Sequence, residues 1–265
     1  MFSRPWFIAI FFSINLILSC FYLDVWKNAN TTSRALPIIS FYEEGTFRID
    51  KYHDLTCDKS HINGHYYTDK APLPTFFVLP FFGVLVKMGL ISPDAQGSLF
   101  GDHIYILGGV LAGSLPFVLV ILITFLKIEC SKPGISPVIL AMLPFYASFL
   151  YVFTGSYFAH LFSGLLLFIS YLFLKKDKFL LAGMFAGMSF ISEYNLAIIF
   201  VVWGFLILYR KRSLKPFALF GLGTLPSLVF ILIYNFHFTG SPFEMLYKYH
   251  TFNQHDTNYG FLLQH

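Results

Sequence analysis

The sequence predicts an all-α membrane protein, built as a polytopic bundle of about seven helical spans with a large first extracytoplasmic loop. Three observations lead to this prediction: the composition, a recurring set of long apolar stretches, and basic residues gathered in alternate loops. Of the 265 residues, 56% are hydrophobic, 20% aromatic and 12% charged, and the mean hydropathy is +0.66. Soluble domains carry about 25% charged residues. This composition therefore excludes an ordinary cytosolic enzyme, a disordered chain and a nucleic-acid-binding protein.

Apolar stretches of roughly membrane-spanning length recur along the chain. A helix needs roughly 20 mostly apolar residues to cross a hydrocarbon core of about 30 Å. The polar run 193–195 divides one long apolar region into two shorter spans. The seven predicted spans are 6–23, 105–126, 136–153, 157–174, 179–192, 194–209 and 216–236. An eighth stretch, 74–91, is a poorer span because its two prolines remove backbone hydrogen-bond donors.

The distribution of Lys and Arg decides how 74–91 is interpreted, because basic residues concentrate in cytoplasmic loops. If it does not cross, Arg4 and the loops 127–132, 175–178 and 210–215 together hold 10 of the 18 basic residues and 2 of the 14 acidic ones. If it crosses, these loops face outward. We therefore predict a re-entrant or interfacial 74–91 and a multi-pass protein of the inner (plasma) membrane with a cytoplasmic N-terminus. A signal peptide in place of the first span stays an alternative.

With this topology, the polar segments 24–73 and 237–265 face outward, and any chemistry is expected there. The first segment is predicted to open with a short juxtamembrane helix that lies on the membrane. Residues 31–33 (Thr-Thr-Ser) are its N-cap candidates, Pro37 falls in its first turn, and Gly45 ends it.

Asp69 and Lys70 close the first outer segment, directly before the apolar stretch 74–91. At the depth of lipid headgroups, a lysine can bind the phosphate of a lipid carrier, and an aspartate can accept a proton or hold a metal. The alternative is that Lys70 extends to the interface while its alkyl stem stays in apolar surroundings, with Asp69 as a solvated partner.

Several runs of the sequence resemble bacterial glycosyltransferases of the GT-C superfamily. The similarity is to the branch related to family 39, near the protein O-mannosyltransferases and the lipid A aminoarabinose transferases, and it covers essentially the whole chain. The aminoarabinose enzymes carry Tyr-Phe-(Glu/Asp)-Lys-Pro-Pro-Leu where this chain has Tyr67-Thr68-Asp69-Lys70-Ala71-Pro72-Leu73. The other similar runs are 33–36, 44–50, 56–59, 64–66, 154–160, 193–195 and 240–243.

The resemblance implies a GT-C-like seven-span module that transfers a hexose or pentose, with inversion, from a polyprenyl-phosphate donor to a glycan, lipid or protein acceptor at the outer face. It implies that Lys70 and Arg34 bind the donor phosphate. Thr31-Thr32 stands where the family has an Asp-Glu pair, so the catalytic carboxylate would come from elsewhere. The candidates are Asp50, Asp58 and Asp69, and the further candidate site members are Tyr67, His160 and Glu193.

The sequence is also compatible with several alternatives. A divalent metal is one, because some relatives use a cation and the first outer segment is rich in Asp and His, although without a recognised ligand spacing. The family's proteins are usually longer, so the chain could be the front part of a longer or split enzyme. The same features could also serve a non-enzymatic transporter of polyprenyl-linked sugars or a scaffold subunit.

Overall fold

The computed structural model describes residues 5–21, 23, 28–91, 98–130 and 136–251. Within these ranges the prediction of an all-α architecture is confirmed, with one small β-hairpin added. The helices are α1 (Pro5–Ser19), α2 (Ala29–Glu44), α3 (Leu73–Lys87), α4 (Ser98–Gly108), α5 (Leu115–Cys130), α6 (Pro137–Tyr146), α7 (His160–Lys175), α8 (Phe179–Phe190), α9 (Ala197–Lys211) and α10 (Leu214–Thr239). The hairpin pairs β1 (Lys59–Ile62) with β2 (His65–Thr68). Short 3₁₀ turns occupy Asp50–Leu55, Phe149–Phe153, Tyr194–Leu196 and Leu246–Tyr249.

In the part of the chain that the structure describes, three helical runs are long and apolar enough to cross a membrane: His103–Ile128, Tyr194–Lys211 and Leu214–Thr239. The first continues from α4 through a π-helical turn, Gly109–Ser114, into α5. The remaining apolar helices, α3 among them, have 10–17 residues, which is short for a bilayer crossing. The count of seven crossings and the interfacial placement of 74–91 therefore stay predictions. Residues 24–27 and 252–265 of the predicted outer segments lie outside the described part of the chain.

Helices α7 to α10 run alternately in opposite directions, because short connections make consecutive helices antiparallel neighbours. At one end, Lys211 Nζ lies 2.7 Å from Asp177 Oδ1. This ion pair brings the α7–α8 connection, which contains Asp177, next to the α9–α10 connection, which follows Lys211. At the other end, Glu193 lies between α8 and α9 and contacts His160, the first residue of α7. The loops 175–178 and 210–215 therefore lie at the opposite end of these helices from Glu193. We call the two ends the basic end and the site end.

Helix α2 corrects part of the prediction for the first outer segment. The helix begins one turn earlier than expected, because Asn28 caps it by accepting a hydrogen bond from the backbone N–H of Thr31 at 3.0 Å. Pro37 consequently falls in the helix interior, whereas Gly45 ends the helix as predicted, with a left-handed φ of 70°. The residues Thr31–Ser40 are all buried. These residues therefore pack against other parts of the protein, and the placement of the helix beside the membrane stays a prediction.

Candidate functional site

The β-hairpin organises the polar segment between α2 and α3. Asn63 and Gly64 both adopt positive φ, 52° and 83°, which is the geometry of a type I′ turn. Asp50 secures the turn end of the hairpin: its Oδ1 accepts the Tyr66 N–H at 2.6 Å, and its Oδ2 lies 2.7 Å from His65 Nδ1. Burial alone would raise the pKa of Asp50, but these hydrogen bonds outweigh it and lower that pKa. Asp50 is therefore engaged in holding the hairpin.

The open end of the hairpin gathers the first group of charged side chains, which we call the Lys70 group: Asp58, Asp69, Lys70 and His250. Lys70 Nζ lies 2.8 Å from Asp58 Oδ2 and 3.3 Å from Asp69 Oδ1. His250 Nε2 lies 3.4 Å from Asp69 Oδ2 and 4.0 Å from Asp58 Oδ1. His250 reaches this group because its backbone forms a bridge with Ser60, and Ser60 Oγ donates a hydrogen bond to the Leu246 carbonyl at 2.6 Å.

Asp69 is the most buried carboxylate of this group, with a side chain that is 0% exposed. Among the described residues, no donor makes a well-aligned hydrogen bond to either of its oxygens, although Lys70 and His250 lie close. Burial raises the pKa of Asp69, and Lys70 only partly opposes that effect. A buried carboxylate that lacks aligned donors is costly unless a cation compensates it.

A second group of charged side chains joins α2 to the helix bundle. We call it the Arg34 group, and it consists of Arg34, His160 and Glu193. Arg34 is 2% exposed, and three of its donors are engaged. Nε donates to Asn30 Oδ1 at 3.2 Å, Nη1 to the Ala71 carbonyl at 3.4 Å, and Nη2 to Glu193 Oε1 at 3.3 Å. His160 Nδ1 lies 3.3 Å from the same Glu193 oxygen. Burial would raise the pKa of Glu193, but His160 and Arg34 outweigh it and keep that pKa low.

The two groups are direct neighbours, because Arg34 contacts the carbonyl of the residue that follows Lys70. The structure therefore brings together seven of the eight residues that the sequence suggested. The Lys70 group contains Asp58, Asp69 and Lys70. The Arg34 group contains Arg34, His160 and Glu193. Tyr67 lies close by in β2, buried and packed against Phe238 with ring centroids 5.0 Å apart.

Asp50 lies apart from both groups. It contacts His65 at the turn end of the hairpin, which is three residues away from the open end along the strand. At a rise of about 3.3 Å per residue, this corresponds to about 10 Å. The structure adds His250, which was not among the candidate site residues, although the run 247–250 that contains it could be expected either to cover the site or to lie in an interfacial aromatic belt. The signal for His250 was its position in the second polar segment, on the same predicted side as Lys70.

Asp58, Asp69 and His250 could hold a metal ion. One potential ligand atom from each lies within 4.8 Å of the others. Carboxylate and imidazole are common ligands of divalent cations, and the unsatisfied oxygens of Asp69 suit that use. When both carboxylates are ionised, they and Lys70 sum to a net charge of −1, which repels a phosphate. A divalent cation would reverse the sign of that charge.

Comparisons with protein-family models, with curated proteins and with solved structures each give no significant match. What the structure itself establishes is the class: a helical protein that has, among its described residues, three helices long and apolar enough to span a membrane, and a group of buried and half-buried charges at one end of its helices.

Proposed function

We propose that this chain is a membrane-embedded glycosyltransferase module, which transfers a sugar with inversion from a polyprenyl-phosphate donor to an acceptor at the outer face of the membrane. One observation carries the proposal. Lys70, two carboxylates and the Arg34 group converge at the end of the helices opposite the basic loops. A site for a lipid-linked phosphate needs a cation and a proton-accepting group, and the topology predicted from the loop charges puts this end at the outer face of the membrane.

The cations supply the electrostatic part of the chemistry. In the reaction, an acceptor oxygen attacks the anomeric carbon, and the bond from that carbon to the phosphate oxygen breaks with its electron pair leaving on the phosphate. Lys70 stabilises the growing negative charge as a point charge, and the buried guanidinium of Arg34 adds to the positive potential behind it. The acceptor loses its proton to a base at the same end of the molecule.

A divalent cation fits this proposal as an additional component. Asp58, Asp69 and His250 would hold it, and it would supply positive charge to a bound phosphate. We expect wild-type activity to fall on treatment with EDTA and to return with added Mn²⁺ or Mg²⁺. Activity that survives exhaustive chelation would remove the divalent cation from the proposal and leave Lys70, with the positive potential of the buried Arg34 behind it, to stabilise the phosphate.

The proposed function is tested with purified full chain in proteoliposomes that contain lipid extract as a source of acceptors. Radiolabelled polyprenyl-phosphate hexoses and pentoses are supplied one at a time. Transfer of label, or release of free sugar to water, supports an enzyme. Saturable binding of a donor without turnover would contradict the enzymatic proposal and favour a transporter or a scaffold subunit.

A further inference from the structure

The aspartates of the site are poorly placed to accept the acceptor's proton. Asp69 is completely enclosed, and Asp58 is 2.8 Å from Lys70 Nζ. The Asp58 carboxylate is therefore engaged by an ammonium, and an enclosed carboxylate such as that of Asp69 does not contact a substrate hydroxyl. Thr31 and Thr32, which stand where the family resemblance places an acid pair, are neutral and both 1% exposed.

The Arg34 group contains a side chain that is both exposed and able to accept a proton. His160 is 42% exposed at its side chain, while its Nδ1 lies 3.3 Å from the carboxylate of Glu193. With Nδ1 facing this carboxylate, the Nδ1–H tautomer is favoured and Nε2 is left as the proton acceptor. Glu193 is in turn held by the buried Arg34, so the carboxylate that orients the imidazole is itself fixed.

The surroundings of His160 also hold its ring in place. His160 is the first residue of α7, and its ring stacks on Phe158 at a centroid distance of 5.4 Å, with an interplanar angle of 15°. Phe153 packs edge-on against the same ring at 4.8 Å. Two aromatic rings and one carboxylate therefore restrict the imidazole, which is the kind of preorganisation that general-base catalysis needs.

We propose that His160 is the general base of the transfer reaction and that Glu193 is the positioning residue that orients it. This inference rests on the proposed function. The proton moves from the acceptor hydroxyl to Nε2 of His160 as the new carbon–oxygen bond forms and the phosphate leaves. The resulting imidazolium is stabilised by Glu193, whose carboxylate stays ionised because it lies between His160 and the buried Arg34.

The experiment compares His160→Ala with wild type and with His237→Ala, a control that removes an exposed histidine of α10 at the same end of the bundle. We expect His160→Ala to lose roughly 100-fold or more in turnover, while the variant stays folded and its donor binding stays near wild type. Added imidazole should restore part of the rate, and more basic substituted imidazoles should restore more. A purely structural role for His160 would not make the restored rate depend on the basicity of the added imidazole.

The outcomes separate the two proposals. If wild type turns over a donor but His160→Ala keeps full activity, the base assignment is overturned and the glycosyltransferase proposal stands. The base assignment is also overturned if the variant binds donor normally, is inactive and is not rescued by any imidazole. If wild type neither transfers nor hydrolyses any donor, the proposed function fails and the role of His160 with it.

Discussion

The guanidinium of Arg34 lies 3.3 Å from the carboxylate of Glu193, and this contact joins the first polar segment to the break between α8 and α9. Because the same Glu193 oxygen also lies 3.3 Å from His160, one carboxylate orders three elements that are distant in the sequence: α2, the start of α7 and the α8–α9 junction. The candidate site depends on this link.

Breaking the Arg34–Glu193 pair should destabilise the protein asymmetrically. Glu193→Gln leaves a fully buried cation without its carboxylate, whereas Arg34→Met leaves a partly exposed carboxylate that still contacts His160. Removal of one partner of a buried pair costs about 3–5 kcal/mol, and we expect Glu193→Gln to lie near the upper value and Arg34→Met below it. Denaturant unfolding in detergent micelles measures both, together with the double variant.

The double variant should be more stable than the sum of the two single losses predicts, with a coupling of about 1–3 kcal/mol. Strictly additive losses would show that the two side chains do not interact and that the link between α2 and the helix bundle is carried by other contacts.

Lys70→Ala should abolish use of the donor while the protein stays inserted and folded. Loss of one group that stabilises a developing charge typically lowers turnover by about 100- to 1000-fold, and the two carboxylates left without Lys70 would add repulsion against phosphate. Turnover and donor binding are both measured. Lys248→Ala is the matched control, since that exposed lysine at the same end pairs only with Glu244 among the described carboxylates. Full activity of Lys70→Ala would exclude Lys70 from the site.

Asp50→Asn should destabilise the hairpin, and the size of this destabilisation should depend on pH. The pKa of Asp50 is lowered from its ordinary value of 3.8, so its ionised form stabilises the folded state. That stabilisation is fully present above about pH 3.8 and is lost as pH falls through the lower, folded-state pKa. Thermal unfolding should therefore separate wild type from Asp50→Asn at pH 7 and bring them together in acid. Asp54→Asn, at a side chain that is 87% exposed, is the control, and an Asp50→Asn effect independent of pH would contradict the prediction.

Gly183→Ala should disrupt the packing of α8 on α10. A Cβ at this position would overlap with the carbonyl oxygen of Phe220, a backbone atom that has no rotamer to move into. We expect a loss of about 1–3 kcal/mol, as in other overpacked cores. Gly221→Ala is the control in α10, because its Cβ meets nothing within 4 Å. Its effect should be neutral or stabilising by up to about 1 kcal/mol. Equal unfolding midpoints for the two variants would refute this account of the helix contact.

The predicted sidedness can be measured with the exposed Cys57 of the outer segment. In intact cells, with Cys20 and Cys130 replaced, a membrane-impermeant maleimide should label Cys57. A Lys176→Cys variant of a Cys57→Ser background, at an exposed position of the basic end, should react only after permeabilisation. Labelling of both positions in intact cells would place the two ends in one compartment, and the proposed outer-face site would be wrong.

The helices could be predicted because an apolar composition is a local property. Each of the seven predicted apolar spans coincides with one helix or with two or three consecutive helical pieces, and the short stretch 74–91 coincides with α3. The number of crossings could not be settled in this way, because five of these helices are shorter than a bilayer requires. The hairpin also escaped prediction, although Asn63-Gly64 is a typical turn signal, because its flanking strands are short and polar.

The sequence by itself determined that the protein is helical and apolar, and that Asp69 and Lys70 stand together before an apolar helix, since neighbours in the chain are neighbours in space. Only the tertiary structure decided which distant side chains join them. Glu193 reaches Arg34 because α8 ends where α2 packs, and His250 reaches Asp69 because its segment pairs with β1 at Ser60. The tertiary structure also placed Asp50 apart from Asp58 and Asp69. Such contacts depend on how separate elements pack, and no local pattern in one sequence encodes them.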